Sequence, residues 1–229
     1  MSTVVLCGSL GATDEMWDPQ AAALTDFDVV RVEHPGHGGA PMEGVRDVGA
    51  LAQRVLDLVQ AERFSFVGLS LGGAVGMHLA LEAPERVERL VLAATSLRFG
   101  SSETWDERIE LVRTGGMEAV ADAVLPRWFT PAFGDVQRFR AMFVSTPPEV
   151  YVRYCEILRE HDSHGHVGEI QAPTLAIAGA DDPTSPPGHL KAIAAEIPNA
   201  SVVVIPRGAH LVNAERADEF NHALQAHLA

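Results

Sequence analysis

The 229-residue sequence predicts an α/β protein built on a mostly parallel, doubly wound sheet, and three observations carry that reading. Six short apolar runs lack polar alternation, as strands covered on both faces require. Helical patterns lie between several of them, and strand, helix, strand in sequence makes neighbouring strands parallel. The third observation is Gly68-Leu69-Ser70-Leu71-Gly72, set between an apolar run and a helical one. A serine at so sharp a strand-to-helix turn is held in strained backbone geometry, and the glycines leave room for the bend.

The strands are expected at residues 3–6, 29–32, 64–67, 90–93, 174–178 and 202–205. Asp47 is placed to cap a helix that carries Val48, Leu51, Val55, Leu58 and Val59 on one face. A second helix covers residues 74–82 and stops before Pro84; a last one starts at Asn213 or Ala214 and ends at Leu228. Between residues 99 and 168 no strand pattern appears. Thr104-x-x-Glu107 reads there as a capping box, and residues 117–125, 136–144 and 149–159 read as further helices. The expected organisation is a core of residues 1–98 and 169–229, with a helical cap, or lid, of residues 99–168 inserted over a site.

A net charge of −14 and the lack of a basic stripe exclude a nucleic-acid partner from the reading. Residues 1–10 lack the pattern of a secretion signal. The weakly polar stretch 66–81 is broken by Gly68, Ser70, Gly72, Gly73, Gly76 and His78, which argues against a membrane span. Cys7 and Cys155 have no metal-ligand spacing, so two reduced thiols in a cytoplasmic protein are expected.

A serine hydroxyl needs a base within reach and a carboxylate to orient that base. Gly179-Ala180-Asp181-Asp182-Pro183 follows the fifth strand, and Arg207-Gly208-Ala209-His210 follows the sixth. Ser70, Asp182 and His210, each just past a strand's C-terminal end, converge on one crevice and are the expected catalytic residues. Spacing favours Asp182 over Asp181, which suits a solvated turn. The oxyanion donors are expected to be the N–H of Leu71 and that of Ser9 or Leu10, from the loop Cys7-Gly8-Ser9-Leu10-Gly11; spacing does not choose between the two.

With these motifs in view, the chain resembles the 3-oxoadipate enol-lactonases, a branch with the α/β-hydrolase fold that serves aromatic catabolism. The likeness runs nearly end to end. It is carried by Gly8-Ser9-Leu10-Gly11 with Met16-Trp17-Asp18-Pro19-Gln20, by residues 68–73, by Ala83-Pro84-Glu85-Arg86-Val87, by Arg127-Trp128-Phe129-Thr130-Pro131, by Thr146-Pro147-Pro148, by residues 182–187 and by Ala209-His210-Leu211. Glu33-His34-Pro35-Gly36-His37-Gly38 departs from it, with proline where an arginine-glycine pair is usual, as does residues 161–166.

The resemblance implies opening of a small carboxylated enol-lactone with no cofactor and no metal. His161-x-x-His164-x-His166 has a spacing that can ligate zinc or nickel, but the chemistry requires neither. Because such a substrate carries a free carboxylate, Arg127 beside Trp128 is the expected substrate-binding pair, the alternative being that Trp128 packs the lid against the core and Arg127 lies on the surface. Two alternatives stay open: an esterase or other serine hydrolase acting on a different small ester or lactone, and a non-catalytic relative that binds a small ligand. The oligomeric state is left open.

Overall fold

The computed structural model describes residues 1–229. Six strands form one sheet: β1 (Thr3–Cys7), β2 (Asp28–Val32), β3 (Phe64–Leu69), β4 (Val87–Ala93), β5 (Thr174–Gly179) and β6 (Ala200–Ile205). Their order is β2-β1-β3-β4-β5-β6, with every neighbouring pair parallel. The winding reverses between β1 and β3, and a crevice opens beyond the C-terminal ends of the strands at such a point. Cys7 pairs with Gly68 across that boundary, so the loop after β1 lies beside the turn that carries Ser70. Every residue of β1, β3 and β5 is buried, which is why these runs show no polar alternation. The outer strands β2 and β6 are partly exposed.

The helices are α1 (Asp18–Ala23), α2 (Val48–Leu58), α3 (Leu71–Glu82), α4 (Ser102–Trp128), α5 (Val136–Val144), α6 (Pro148–Glu160), α7 (Pro187–Glu196), α8 (Val212–Glu215) and α9 (Ala217–Leu228). Helix α2 is capped as expected, Asp47 accepting the N–H of Ala50 at 2.7 Å. Helix α3 is apolar on nearly all faces because it is packed into the core rather than laid on it. None of the helices is long and apolar enough to cross a membrane.

Three local expectations are corrected. The cap of α4 is Ser101, whose hydroxyl accepts the N–H of Thr104; Thr104 lies inside the first turn, since a serine three residues earlier supplies the acceptor first. The last helix is two helices, because the chain leaves helical geometry at Arg216 while Glu215 turns its carboxylate back toward the loop of His210. Helices α1 and α7 were not anticipated; both have proline in the first turn, the position that tolerates its missing N–H.

Helices α4, α5 and α6 fill the sequence between β4 and β5. Helix α4 is two arms joined at Gly116, whose φ of 66° and ψ of −173° leave helical geometry. A side chain is strained in that region, so glycine lets the arms fold back on one another.

Candidate active site

The Ser70 turn is forced by close packing of backbone on backbone. A Cβ on Gly68 would stand 2.1 Å from the carbonyl oxygen of Gly72, and one on Gly72 would stand 2.0 Å from that of Cys7. With those side chains absent, Ser70 adopts φ 57° and ψ −111° at the start of α3. The turn is pinned from the sheet side: Ser70 N–H donates to Ala93 at 2.9 Å and the Thr95 hydroxyl donates to the Ser70 carbonyl at 2.8 Å.

His210 and Asp182 come together behind this turn. His210 Nδ1 lies 2.9 Å from Asp182 Oδ2, and both residues are almost fully buried. The other carboxylate oxygen accepts the N–H groups of Thr184 at 2.7 Å and Ser185 at 3.0 Å. Because a carboxylate only accepts, Nδ1 carries the proton and Nε2 keeps its lone pair. Burial pushes the Asp182 carboxyl up, and the His210 imidazole with the two amides outweighs it, so its pKa stays below the ordinary value. Asp181 is exposed and its N–H donates to Gly208, within the turn.

Ser70 and His210 line one cavity with Ser9 and Leu10. Helices supply much of the rest of its lining, Thr104, Trp105, Arg108, Val124, Arg127 and Trp128 from α4 and Tyr151 and Leu158 from α6, together with Phe99, Gly100 and Thr184 from loops. Trp128 does two things. Its ring meets Phe143 edge-on at 5.3 Å while one side borders the cavity, and its carbonyl accepts the N–H of Leu211, next to His210. Arg127 donates to Thr184 Oγ1 at 3.2 Å and to the Pro183 carbonyl at 3.4 Å, with no carboxylate partner.

The amide of Leu71 donates to no protein acceptor, as expected at the first turn of a helix. Ser9 N–H points to Met16 Sδ at 3.5 Å, whereas Leu10 N–H has no protein acceptor. Two histidines hold this loop: His34 Nε2 donates to the Gly8 carbonyl at 2.9 Å, and His37 Nε2 accepts Gly11 N–H at 3.1 Å. Burial lowers them to about 4 and about 3, so both are neutral braces. The tripeptide spacing of His161, His164 and His166 does not gather the rings: His161 bonds Ser163 and His164 bonds Asp162.

Five side chains escaped the sequence reading. Arg108 gives no local signal because only the fold of α4 turns it inward. Thr95, His34 and His37 act through backbone groups 25 or 26 positions away, and Glu215 joins one 6 positions away to one 85 positions away. Glu215 accepts the N–H groups of Ala209 at 2.7 Å and Thr130 at 2.8 Å, tying the His210 loop to the end of α4.

A buried imidazole oriented by a carboxylate, sharing a cavity with a serine on a strained turn and with unoccupied amides, is an arrangement suited to acyl transfer. The alpha/beta hydrolase family matches residues 4–223 of this chain. The 3-oxoadipate enol-lactonase 2 of Acinetobacter baylyi is 31% identical, over 97% of this chain and 87% of its own length. A protein of Agrobacterium fabrum with the provisional name carbamate hydrolase RutD is 32% identical, over 97% of this chain and 91% of its own. The enol-lactonase of Burkholderia xenovorans superposes with a TM-score of 0.95 at 37% identity, covering 99% of this chain and 91% of that one.

Proposed function

The chain belongs to the alpha/beta hydrolase family and is a hydrolase, and from that premise we propose that it opens 3-oxoadipate enol-lactone to 3-oxoadipate. The observation that carries this reading is the composition of the cavity. Ser70 and His210 share it with two arginines and no carboxylate, in a chain of net charge −14. An anionic ester is the substrate such a cavity favours.

In the proposed cycle His210 Nε2 takes the proton of Ser70, and the serine oxygen attacks the ring carbonyl. The oxyanion is held by the N–H of Leu71 and a second amide of the Ser9-Leu10 turn; the N–H of Leu10 is the one without a protein acceptor. Ring opening expels an enolate, a better leaving group than an alkoxide, and the proton held by His210 passes to it. The enol ketonises, which makes the step hard to reverse. Water deprotonated by His210 then attacks the acyl carbon and releases Ser70, while Asp182 holds the imidazole throughout. Helices α4 to α6 act as the lid that excludes bulk water, and Arg127 beside Trp128 holds the substrate carboxylate.

The relative named as a carbamate hydrolase favours a second reading, a hydrolase of another small ester or carbamate on the same machinery. Turnover of freshly generated enol-lactone by the wild type and by Ser70→Ala tests the first. Loss on the order of 10⁵-fold or more is expected, and faster turnover of neutral aryl esters or carbamates than of the lactone would overturn the substrate assignment.

A further inference from the structure

Arg108 and Arg127 stand 19 positions apart on α4, because 127 minus 108 is 19. In a straight helix that separation is about 28 Å along the axis. Both nevertheless border the same cavity, because α4 turns back at Gly116. A Cβ at Gly116 would meet nothing within 4 Å, so no packing demand explains the glycine; the demand is the bend itself.

Neither arginine is neutralised. Arg108 makes no ion pair, and its guanidinium carbon lies 5.2 Å from the centroid of the Trp105 ring, a contact that leaves its charge uncancelled. Arg127 is held by a hydroxyl and a carbonyl. Elsewhere on the same group of helices Arg140 takes two carboxylates, and Arg159 takes two more. The cavity has no Asp or Glu in its lining.

We propose that Arg108 is a second carboxylate-holding residue, working with Arg127 from the opposite arm of α4, so that the site selects carboxylated lactones and retains the small dicarboxylate product. This rests on the lactone-opening reading and extends it. Hydrolysis breaks the ring C–O bond, puts the oxygen of water on the acyl carbon, and moves one proton to the enol carbon as the ketone forms. The pendant carboxylate persists and a second one appears at the acyl carbon. A dianion is thus left between two guanidinium groups, each able to donate a bidentate pair of hydrogen bonds to a carboxylate.

The test uses adipate, a six-carbon dicarboxylate, with the full chain. Calorimetric affinity and competitive inhibition of lactone turnover are measured for the wild type, Arg108→Met, Arg127→Met and Arg108→Lys. Arg108→Met should weaken adipate at least tenfold, and should lower kcat/KM for the lactone at least tenfold more than for 4-nitrophenyl acetate. Arg108→Lys should recover part of both. A folded Arg108→Met protein that binds adipate within twofold of the wild type, or a wild type that does not bind adipate, overturns the proposal. Full lactone turnover by Ser70→Ala would instead sink the hydrolytic reading, and leaves the adipate comparison to decide on Arg108 by itself.

Discussion

The hydroxyl of Thr95 donates to the carbonyl oxygen of Ser70 at 2.8 Å, and the next residue, Ser96, bonds Ser185, whose N–H donates to Asp182. One turn after β4 therefore touches both the strained serine turn and the loop of the carboxylate. Such buried bonds are worth about 1 kcal/mol each in stability, but their effect on geometry is larger in consequence.

Thr95→Val keeps the shape and removes the donor. It should lower kcat roughly tenfold with little change in KM, whereas Thr95→Ser should retain most of kcat. Steady-state kinetics decide this, and equal loss in both variants would assign Thr95 to packing alone.

Asp182→Asn reverses the hydrogen-bond demand on His210 Nδ1, because an amide can donate, and so removes the free lone pair from Nε2. A fall in kcat on the order of 10³- to 10⁴-fold is expected, with the fold intact by circular dichroism. Activity near the wild-type level would end the role given to this carboxylate.

Gly68→Ala and Gly72→Ala should each abolish activity and lower the yield of folded protein. The new methyl would collide with backbone oxygens at 2.1 Å and 2.0 Å, which cannot swing away as side chains do. Gly116→Ala meets no such obstacle. Its cost is backbone strain of about 1 to 3 kcal/mol, and its predicted signature is a lower Tm with a raised KM for the carboxylated lactone.

Acid should destabilise the fold before it reaches the carboxylate of Asp182. His34 and His37 are held by burial at about 4 and about 3, below the unfolded value near 6.5. As pH falls below 6.5 the unfolded chain binds protons that the folded chain refuses, so stability drops by up to about 1.4 kcal/mol per pH unit for each histidine. Glu33, raised by burial to about 7, acts in the opposite sense between about 4.3 and 7, and one carboxyl does not offset two histidines. Urea midpoints should fall between pH 6.5 and 4.5, and His37→Gln, which keeps an acceptor for Gly11, should flatten the slope by about one proton. A midpoint indifferent to pH in that window would contradict the neutral-brace assignment.

The parallel sheet can be read along the chain, because strands buried on both faces must be apolar without alternation, as in β1, β3 and β5. So can the Ser70 turn, since only glycine at 68 and 72 fits beside the backbone there. In each case the residue types show it, an apolar run or a pair of glycines around a serine, although the oxygen that excludes a side chain at 72 belongs to Cys7. The partnership of His210 with Asp182 was legible through chain order, but their separation and the tautomer follow from the packed loops. Packing of distant segments is what makes Arg108 share a cavity with Arg127, leaves Leu10 a free amide while Ser9 faces Met16, and lets Glu215 tie the His210 loop to α4. These depend on where one bend at Gly116 and several long-range hydrogen bonds bring distant segments, and no periodicity along the chain encodes such a meeting.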